Sequence, residues 1–119
     1  MDTRQIDFAA QTEAVQLVLE HTNSAGSALV GTARLLTGQR IPAEGESTHP
    51  ADEYSYVLRG RVQVTAGGQT REVTPGTLMV IPAGQGHITV GLEDAEVLWW
   101  WVGQATDFAE LKGRYPLLD

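Results

Sequence analysis

The chain contains no cysteine and only one lysine, and these shortages exclude several functions. Without cysteine there is no disulfide, no thiolate metal site and no cysteine nucleophile. Eight basic residues, seven of them arginine, face fifteen acidic ones, so the net charge is −7. An acidic chain without a basic cluster repels phosphate backbones and anionic lipids. We therefore expect neither nucleic acid nor a membrane surface as a partner.

Long apolar runs are also missing. Residues 1–7 lack the basic region and following apolar stretch of a secretory signal, and no segment is long enough to span a bilayer. These features predict a cytoplasmic protein. The 119 residues are 42% hydrophobic and 19% charged, which is typical of a globular chain. We expect one domain over residues 1–119, large enough to bury a single core.

Short apolar or alternating runs, separated by glycine and proline, follow one another along the chain. They lie at residues 14–20, 27–36, 54–65, 69–73, 78–81, 87–90 and 95–102. This rhythm predicts an all-β sandwich or barrel. The wholly apolar run at 78–81 predicts a strand buried on both faces. A short C-terminal helix, capped by Asp107 and ended by Gly113 and Pro116, is expected to cover an edge or one mouth of the barrel.

Two of the three histidines lie in segments that suit one metal site. Residues 47–53 (STHPADE) place His49 and Glu53 four positions apart, just before a predicted strand. Residues 82–87 (PAGQGH) place His87 behind a Pro-x-Gly turn. Imidazole and carboxylate are suitable ligands for iron, manganese, zinc or nickel. The sequence therefore predicts that these three side chains bind one divalent metal ion.

Together the segments resemble the two motifs of the cupin family. The first family motif is His-x-His-Pro-x-Asp-Glu, six residues and Gly, and residues 47–60 match it except that Ser47 replaces the first histidine. The second is Gly, five residues, Pro-x-Gly, two residues, His, three residues and Asn. Residues 76–91 match it except that Gly91 replaces the asparagine. The resemblance implies a double-stranded β-helix, or jelly-roll barrel, with a metal ion in its mouth.

The resemblance carries the family's ligand positions onto His49, Glu53 and His87, which are also the candidate catalytic residues. Its fourth ligand position falls on Ser47, whose hydroxyl is a poor metal ligand at neutral pH. Three interpretations stay open. The three side chains bind a metal ion and catalysis follows, as in sites with two histidines and one carboxylate. Alternatively, the same groups act as metal-free acid–base residues, or the pocket only binds a ligand, as in sensor cupins. Metal-dependent cupins include oxygenases, isomerases, decarboxylases and cyclases, so the reaction type stays open.

Other residues are candidates for binding a small-molecule substrate. Ser47, Tyr56 and Gln85 are polar positions in or beside the motifs. Arg34 lies in a predicted strand, where it either faces outward or binds an anionic substrate. In the run Trp99-Trp100-Trp101, strand alternation places Trp99 and Trp101 on one face, where they could form an aromatic wall.

An apolar stripe predicts a second subunit. Alternation turns Tyr54, Tyr56 and Leu58 away from the pocket, so these side chains need a cover. Either the chain's own terminal segments or a second copy could supply it. Small cupins are commonly dimers, and the resemblance therefore implies a homodimer. The remaining histidine, His21, falls in a predicted loop and is expected to be solvated.

Overall fold

The computed structural model describes residues 1–118 and contains two antiparallel β-sheets that share one core. The strands are β1 (Val15–Asn23), β2 (Gly26–Leu35), β3 (Arg40–Ile41), β4 (Asp52–Arg59), β5 (Val62–Ala66), β6 (Gln69–Val73), β7 (Leu78–Ile81), β8 (His87–Gly91) and β9 (Ala95–Gly103). Two 3₁₀ turns cover Phe8–Ala10 and Ala105–Phe108, and helix α1 covers Ala109–Arg114. No helix in this described part has the length and apolar character needed to cross a bilayer.

The five-stranded sheet has the order β1-β2-β9-β4-β7, and the four-stranded sheet has the order β3-β8-β5-β6. The chain passes repeatedly from one sheet to the other, so strands distant in sequence become neighbours. This is the arrangement of a jelly roll. The predicted all-β jelly-roll architecture with a short C-terminal helix is confirmed.

Alternation along the central strands separates the core from the outer surface. On β4, Ser55 and Val57 are buried between the sheets, while Tyr56 and Leu58 are exposed on the outer face. On β9, the alternate residues from Ala95 to Trp101 are buried. Because both strands lie inside the five-stranded sheet, their inward faces form one wall of the barrel.

The prediction that residues 78–81 are buried on both faces is wrong. These residues form β7, an edge strand that pairs only with β4. Leu78 is 64% exposed and Val80 is 54% exposed, while Ile81 points inward and is buried. A wholly apolar run predicts burial on both faces only where another layer covers the sheet, and no described residue supplies such a layer here.

Strand β1 differs from prediction in two ways. A register irregularity between Leu17 and Leu19 breaks the strict alternation, and both Leu17 and Val18 are buried as a result. The strand also runs further than expected and includes His21, which was predicted to lie in a loop. His21 is nevertheless exposed, as expected for a solvated histidine.

The C-terminal helix exists, but its cap was assigned to the wrong residue. Gln104 precedes the 3₁₀ turn, and its backbone N–H donates to the Asp107 carboxylate over 2.8 Å. Asp107 is thus the third residue of a capping box rather than the cap itself. Gly113 lies inside α1 rather than after it. Phe108, at the junction of turn and helix, is completely buried and holds this segment against the core.

Candidate metal centre

The two sequence motifs meet at one end of the barrel. His49 lies just before β4, Glu53 is the second residue of β4, and His87 opens β8 in the opposite sheet. Two hydrogen bonds join the motif loops directly. The Gly84 N–H donates to the His49 carbonyl over 2.9 Å, and the Ala83 N–H donates to the carboxylate of the residue before Glu53 over 2.8 Å. The turn at 82–86 therefore helps to position both histidines.

Three side chains converge there, as the sequence predicted. The distance from His49 Nε2 to Glu53 Oε1 is 3.2 Å, and the distance from His87 Nε2 to the same oxygen is 4.0 Å. The candidate ligand atoms all lie within 4.8 Å of one another. Both histidines are buried, and the Glu53 side chain is 17% exposed. This spacing is close to that of ligand atoms around one metal ion with bonds of about 2.0–2.2 Å.

The imidazoles are oriented by backbone carbonyls. His49 Nδ1 contacts the Ala51 carbonyl at 2.8 Å, and His87 Nδ1 contacts the Gln85 carbonyl at 3.0 Å. A carbonyl only accepts, so each Nδ1 carries the hydrogen, and the ring in its neutral form presents a lone pair at Nε2. This is the usual orientation of metal-binding histidines. His49 Nε2 is fully buried and has no hydrogen-bond partner among residues 1–118.

When both rings are neutral, two nitrogen lone pairs and a carboxylate face one another in a largely buried site. In that state the groups repel unless a cation lies among them, because none of them can donate a hydrogen bond to the others. A divalent metal ion satisfies all three, including the unpartnered His49 Nε2. The residues present thus fit the metal that the sequence predicts.

Trp101 supports the centre from β9, where it lies directly opposite Glu53 in the strand register. Its indole Nε1–H donates to Glu53 Oε1 over 2.8 Å. Its ring also stacks on the His49 imidazole, with centroids 4.1 Å apart and planes 26° apart. One side chain therefore orients two of the three candidate ligands.

The electrostatics of the site keep Glu53 ionised. Burial of the carboxyl group would raise its pKa, but His49, His87 and the Trp101 hydrogen bond outweigh that effect, and the pKa lies below its ordinary value. An ionised carboxylate is the form that binds a metal. Both imidazoles lower this pKa only when they carry positive charge, and beside neutral rings a bound cation would supply that charge instead.

The centre opens into a cavity of about 440 Å³ between the sheets. Ser47, Trp99 and Trp101 line it, as the sequence suggested for binding a ligand. Ser47 also pairs with His87 through two backbone hydrogen bonds of 2.9 and 3.0 Å. The C-terminal helix, which was expected to cover an edge or one mouth of the barrel, contributes a further wall of the cavity through Leu111 and Tyr115.

The other three candidate substrate-binding residues lie outside this cavity. Arg34 is on the outer side of β2, where its guanidinium donates to the Gln11 carbonyl. Tyr56 is on the outer face of β4 and is 36% exposed, in keeping with its strand parity. The Gln85 side chain lines a separate, smaller cavity, and only its carbonyl contacts His87. These positions correct the expectation that the three residues contact a ligand beside the metal centre.

Replacing Trp101 by phenylalanine is expected to weaken binding of Zn²⁺ or Fe²⁺ about 10-fold, because the Glu53 carboxylate loses its orienting hydrogen bond. Titration with the metal, followed by competition with a chelator, measures this change. Trp100→Phe is the matched control, since Trp100 stacks on Tyr54 on the outer face. Equal affinities in the two variants would show that Trp101 only fills space.

The fold agrees with the comparisons to known proteins. A family model described as a cupin domain matches residues 32–103, and this chain belongs to the cupin family. The matched region contains both motifs and all three candidate ligands.

Among solved structures, the chain is similar to an RmlC-like cupin from a Desulfovibrio desulfuricans subspecies, with 19% identity, a TM-score of 0.69 and coverage of 86% of this chain and 96% of that one. It is also similar to a Cupin 2 conserved barrel domain protein from Salinispora arenicola, with 18% identity, a TM-score of 0.65 and coverage of 97% and 98%. KdgF from Halomonas sp. matches with 21% identity, a TM-score of 0.63 and coverage of 90% and 91%. These likenesses concern the fold.

In sequence, the chain is 34% identical over 44 residues to an uncharacterized protein of Streptomyces coelicolor. The match covers 37% of this chain and 42% of that protein.

Proposed function

We propose that this cupin binds one divalent metal ion through His49, Glu53 and His87 and uses it to act on a small organic molecule in the adjoining cavity. The observation that carries the proposal is the arrangement of lone pairs. Both imidazoles turn Nε2 towards an ionised carboxylate, and His49 Nε2 has no hydrogen-bond partner in the described chain.

The residues of the site would have distinct roles in binding the metal, leaving a position open and orienting the ligands. When bound, the metal would supply a Lewis acid, and iron or manganese would add redox chemistry. The three side chains would hold it from one side, since they come from the loops and strands at one end of the barrel. Ser47 occupies the family's fourth ligand position, and because its hydroxyl binds metal weakly, that position stays free for water or substrate. Trp101 and the backbone carbonyls keep the ligands in place.

The experiment that tests this proposal is elemental analysis of protein purified without chelator. We expect about one iron, manganese, nickel or zinc ion per chain. The identity of the metal then separates oxygen chemistry from Lewis-acid chemistry. Protein that contains none of these metals, and takes up none after they are added back, would overturn the metal proposal. Metal-free acid–base catalysis by the same three residues would then be the function to test.

A second candidate function is ligand binding without catalysis. The observation that favours it is the scarcity of acid–base groups. Apart from the three candidate metal ligands, the only titratable side chains that line the cavity among residues 1–118 are Arg40, Arg114 and Tyr115. Metal-centred chemistry or simple binding suits such a lining better than proton transfer by the protein. Loss of substrate turnover in His87→Ala would favour the enzyme, whereas ligand binding without any turnover would favour the sensor.

We also propose a homodimer that forms through the outer face of the five-stranded sheet. Five exposed apolar side chains share that face on β4, β7 and β9: Tyr56, Leu58, Leu78, Val80 and Val102. Asp52 and Arg59 lie exposed at opposite ends of β4. A two-fold axis through β4 would bring the acidic end of one copy near the basic end of the other, so this face is complementary to itself.

One domain over residues 1–119 and a cytoplasmic location stay predictions from the sequence.

Replacing Leu78 by glutamate is expected to convert the dimer into a monomer, because the charge would be buried without a partner in the interface. Sedimentation of the wild type and the variant at micromolar concentration measures the change. Gln63→Glu is the control, since Gln63 is exposed on β5 in the four-stranded sheet. A wild-type monomer under these conditions would contradict the proposed dimer.

A further inference from the structure

Four valines form an apolar part of the wall of the main cavity, whose lining also includes the polar residues Gln39, Arg40, Thr89, Arg114 and Tyr115. Val57 and Val97 line it from the five-stranded sheet, and Val62 and Val64 line it from the four-stranded sheet. All four are buried. Ligand hydroxyls pressed against these side chains would lose water and gain no hydrogen-bond partner in return. This part of the wall therefore favours a molecule with an apolar body over a sugar or another polyol.

One deeply buried hydroxyl interrupts this apolar surface. Ser55 lies two residues beyond Glu53 on the inward face of β4, about 6.6 Å further along the strand. It lines the cavity and is only 4% exposed. Because Ser55 lines the cavity, its hydroxyl is available to hydrogen-bond with a ligand there.

We propose that the ligand is a largely apolar small molecule with two polar anchors. One is an oxygen directed to the metal centre, and the other is a polar group that hydrogen-bonds to Ser55. The first anchor rests on the proposed metal function, whereas the apolar body and the Ser55 contact rest on the cavity itself. A volume of about 440 Å³ suits a compact organic molecule such as a substituted aromatic ring.

Two probes that share a metal-binding group test the apolar body. Benzohydroxamate combines a metal-chelating hydroxamate with a phenyl ring, and the hydroxamate of a four-carbon sugar acid combines it with three hydroxyls. We expect the metal-loaded protein to bind benzohydroxamate at least about 10-fold more tightly, as measured by calorimetry. Equal or tighter binding of the sugar-acid hydroxamate would overturn the inference.

The hydroxyl anchor is tested with ring-substituted probes and a matched pair of variants. We expect 3-hydroxy- or 4-hydroxybenzohydroxamate to bind wild-type protein about 5-fold more tightly than the unsubstituted probe. Ser55→Ala should abolish this gain and leave the affinity for benzohydroxamate itself unchanged. Ser24→Ala, which removes an exposed hydroxyl outside the cavity, should retain the gain. No gain in wild type, or a gain that survives in Ser55→Ala, would overturn the assignment of Ser55.

A metal-free measurement separates failure of this inference from failure of the metal proposal. Chelator-treated protein is titrated with benzyl alcohol and with erythritol, neither of which needs a metal, and shifts of the tryptophan indole NMR signals report binding. If the purified protein holds no metal but prefers benzyl alcohol, the metal proposal falls and the apolar cavity stands. If metal is bound and the apolar probes show no preference in either experiment, this inference falls alone.

Discussion

Replacing His49 by alanine is expected to reduce the affinity for the divalent metal by more than about 100-fold. Loss of a hydrogen-bond partner behind a ligand already costs 10–100-fold, and this change removes a ligand itself. It also leaves the ionised Glu53 with one imidazole instead of two. The measurement is the metal content of each purified protein by elemental analysis, followed by titration of the chelator-treated chain.

The chain offers a matched control for this substitution. His21→Ala removes the third histidine, which is exposed on β1 and takes no part in the three-residue cluster. We expect the control to retain its metal. Retention of metal by His49→Ala would show that the ion, if present, lies elsewhere. Loss of metal from both variants would point to a general effect on folding rather than on the site.

Replacing Phe108 by alanine is expected to lower the free energy of unfolding by about 3–5 kcal/mol, which is the usual cost of removing a fully buried aromatic ring. Phe108 is 0% exposed, and its ring lies 6.3 Å from that of Trp101. The same ring fastens the C-terminal segment that supplies Leu111 and Tyr115 to the cavity. Chemical denaturation of the wild type and the variant measures the difference.

An exposed apolar residue provides the comparison for Phe108. Leu36 is 54% exposed after β2, so Leu36→Ala should change the unfolding free energy by less than about 0.5 kcal/mol. A change below about 1 kcal/mol in Phe108→Ala would contradict the central position of this ring. In that case the C-terminal segment would contribute little to the stability of the barrel.

The cluster of candidate ligands could be predicted from the sequence because its spacing is local. His49 and Glu53 are four residues apart, and the turn ahead of His87 is set by a Pro-x-Gly sequence. The resemblance to cupins then supplied the one long-range relationship, that the two motifs meet. Strand alternation placed Trp99 and Trp101 on one face, and the structure shows that this face points inward.

Predictions failed where the environment of a residue depends on a neighbouring layer. The run at 78–81 is apolar at every position, yet β7 lies at a sheet edge and two of its side chains are exposed. Arg34 was a possible ligand-binding residue by composition, but its position on the outer side of β2 was not readable from its own segment. No local signal distinguishes an inward from an outward arginine when both faces of a strand carry apolar neighbours.

By itself, the sequence determined most of the strands, the ligand types and their local spacing, because these depend on side-chain periodicity and turn chemistry over a few residues. Only the tertiary structure decided what surrounds the ligands. The register of β4 with β9 brings Trp101 opposite Glu53, although 48 positions separate them in the chain. Packing of the two sheets directs the Ser55 side chain towards the cavity between them. It also leaves His49 Nε2 without a hydrogen-bond partner in the described chain. Such relationships arise from burial and pairing between distant segments, which the pattern within either segment does not encode.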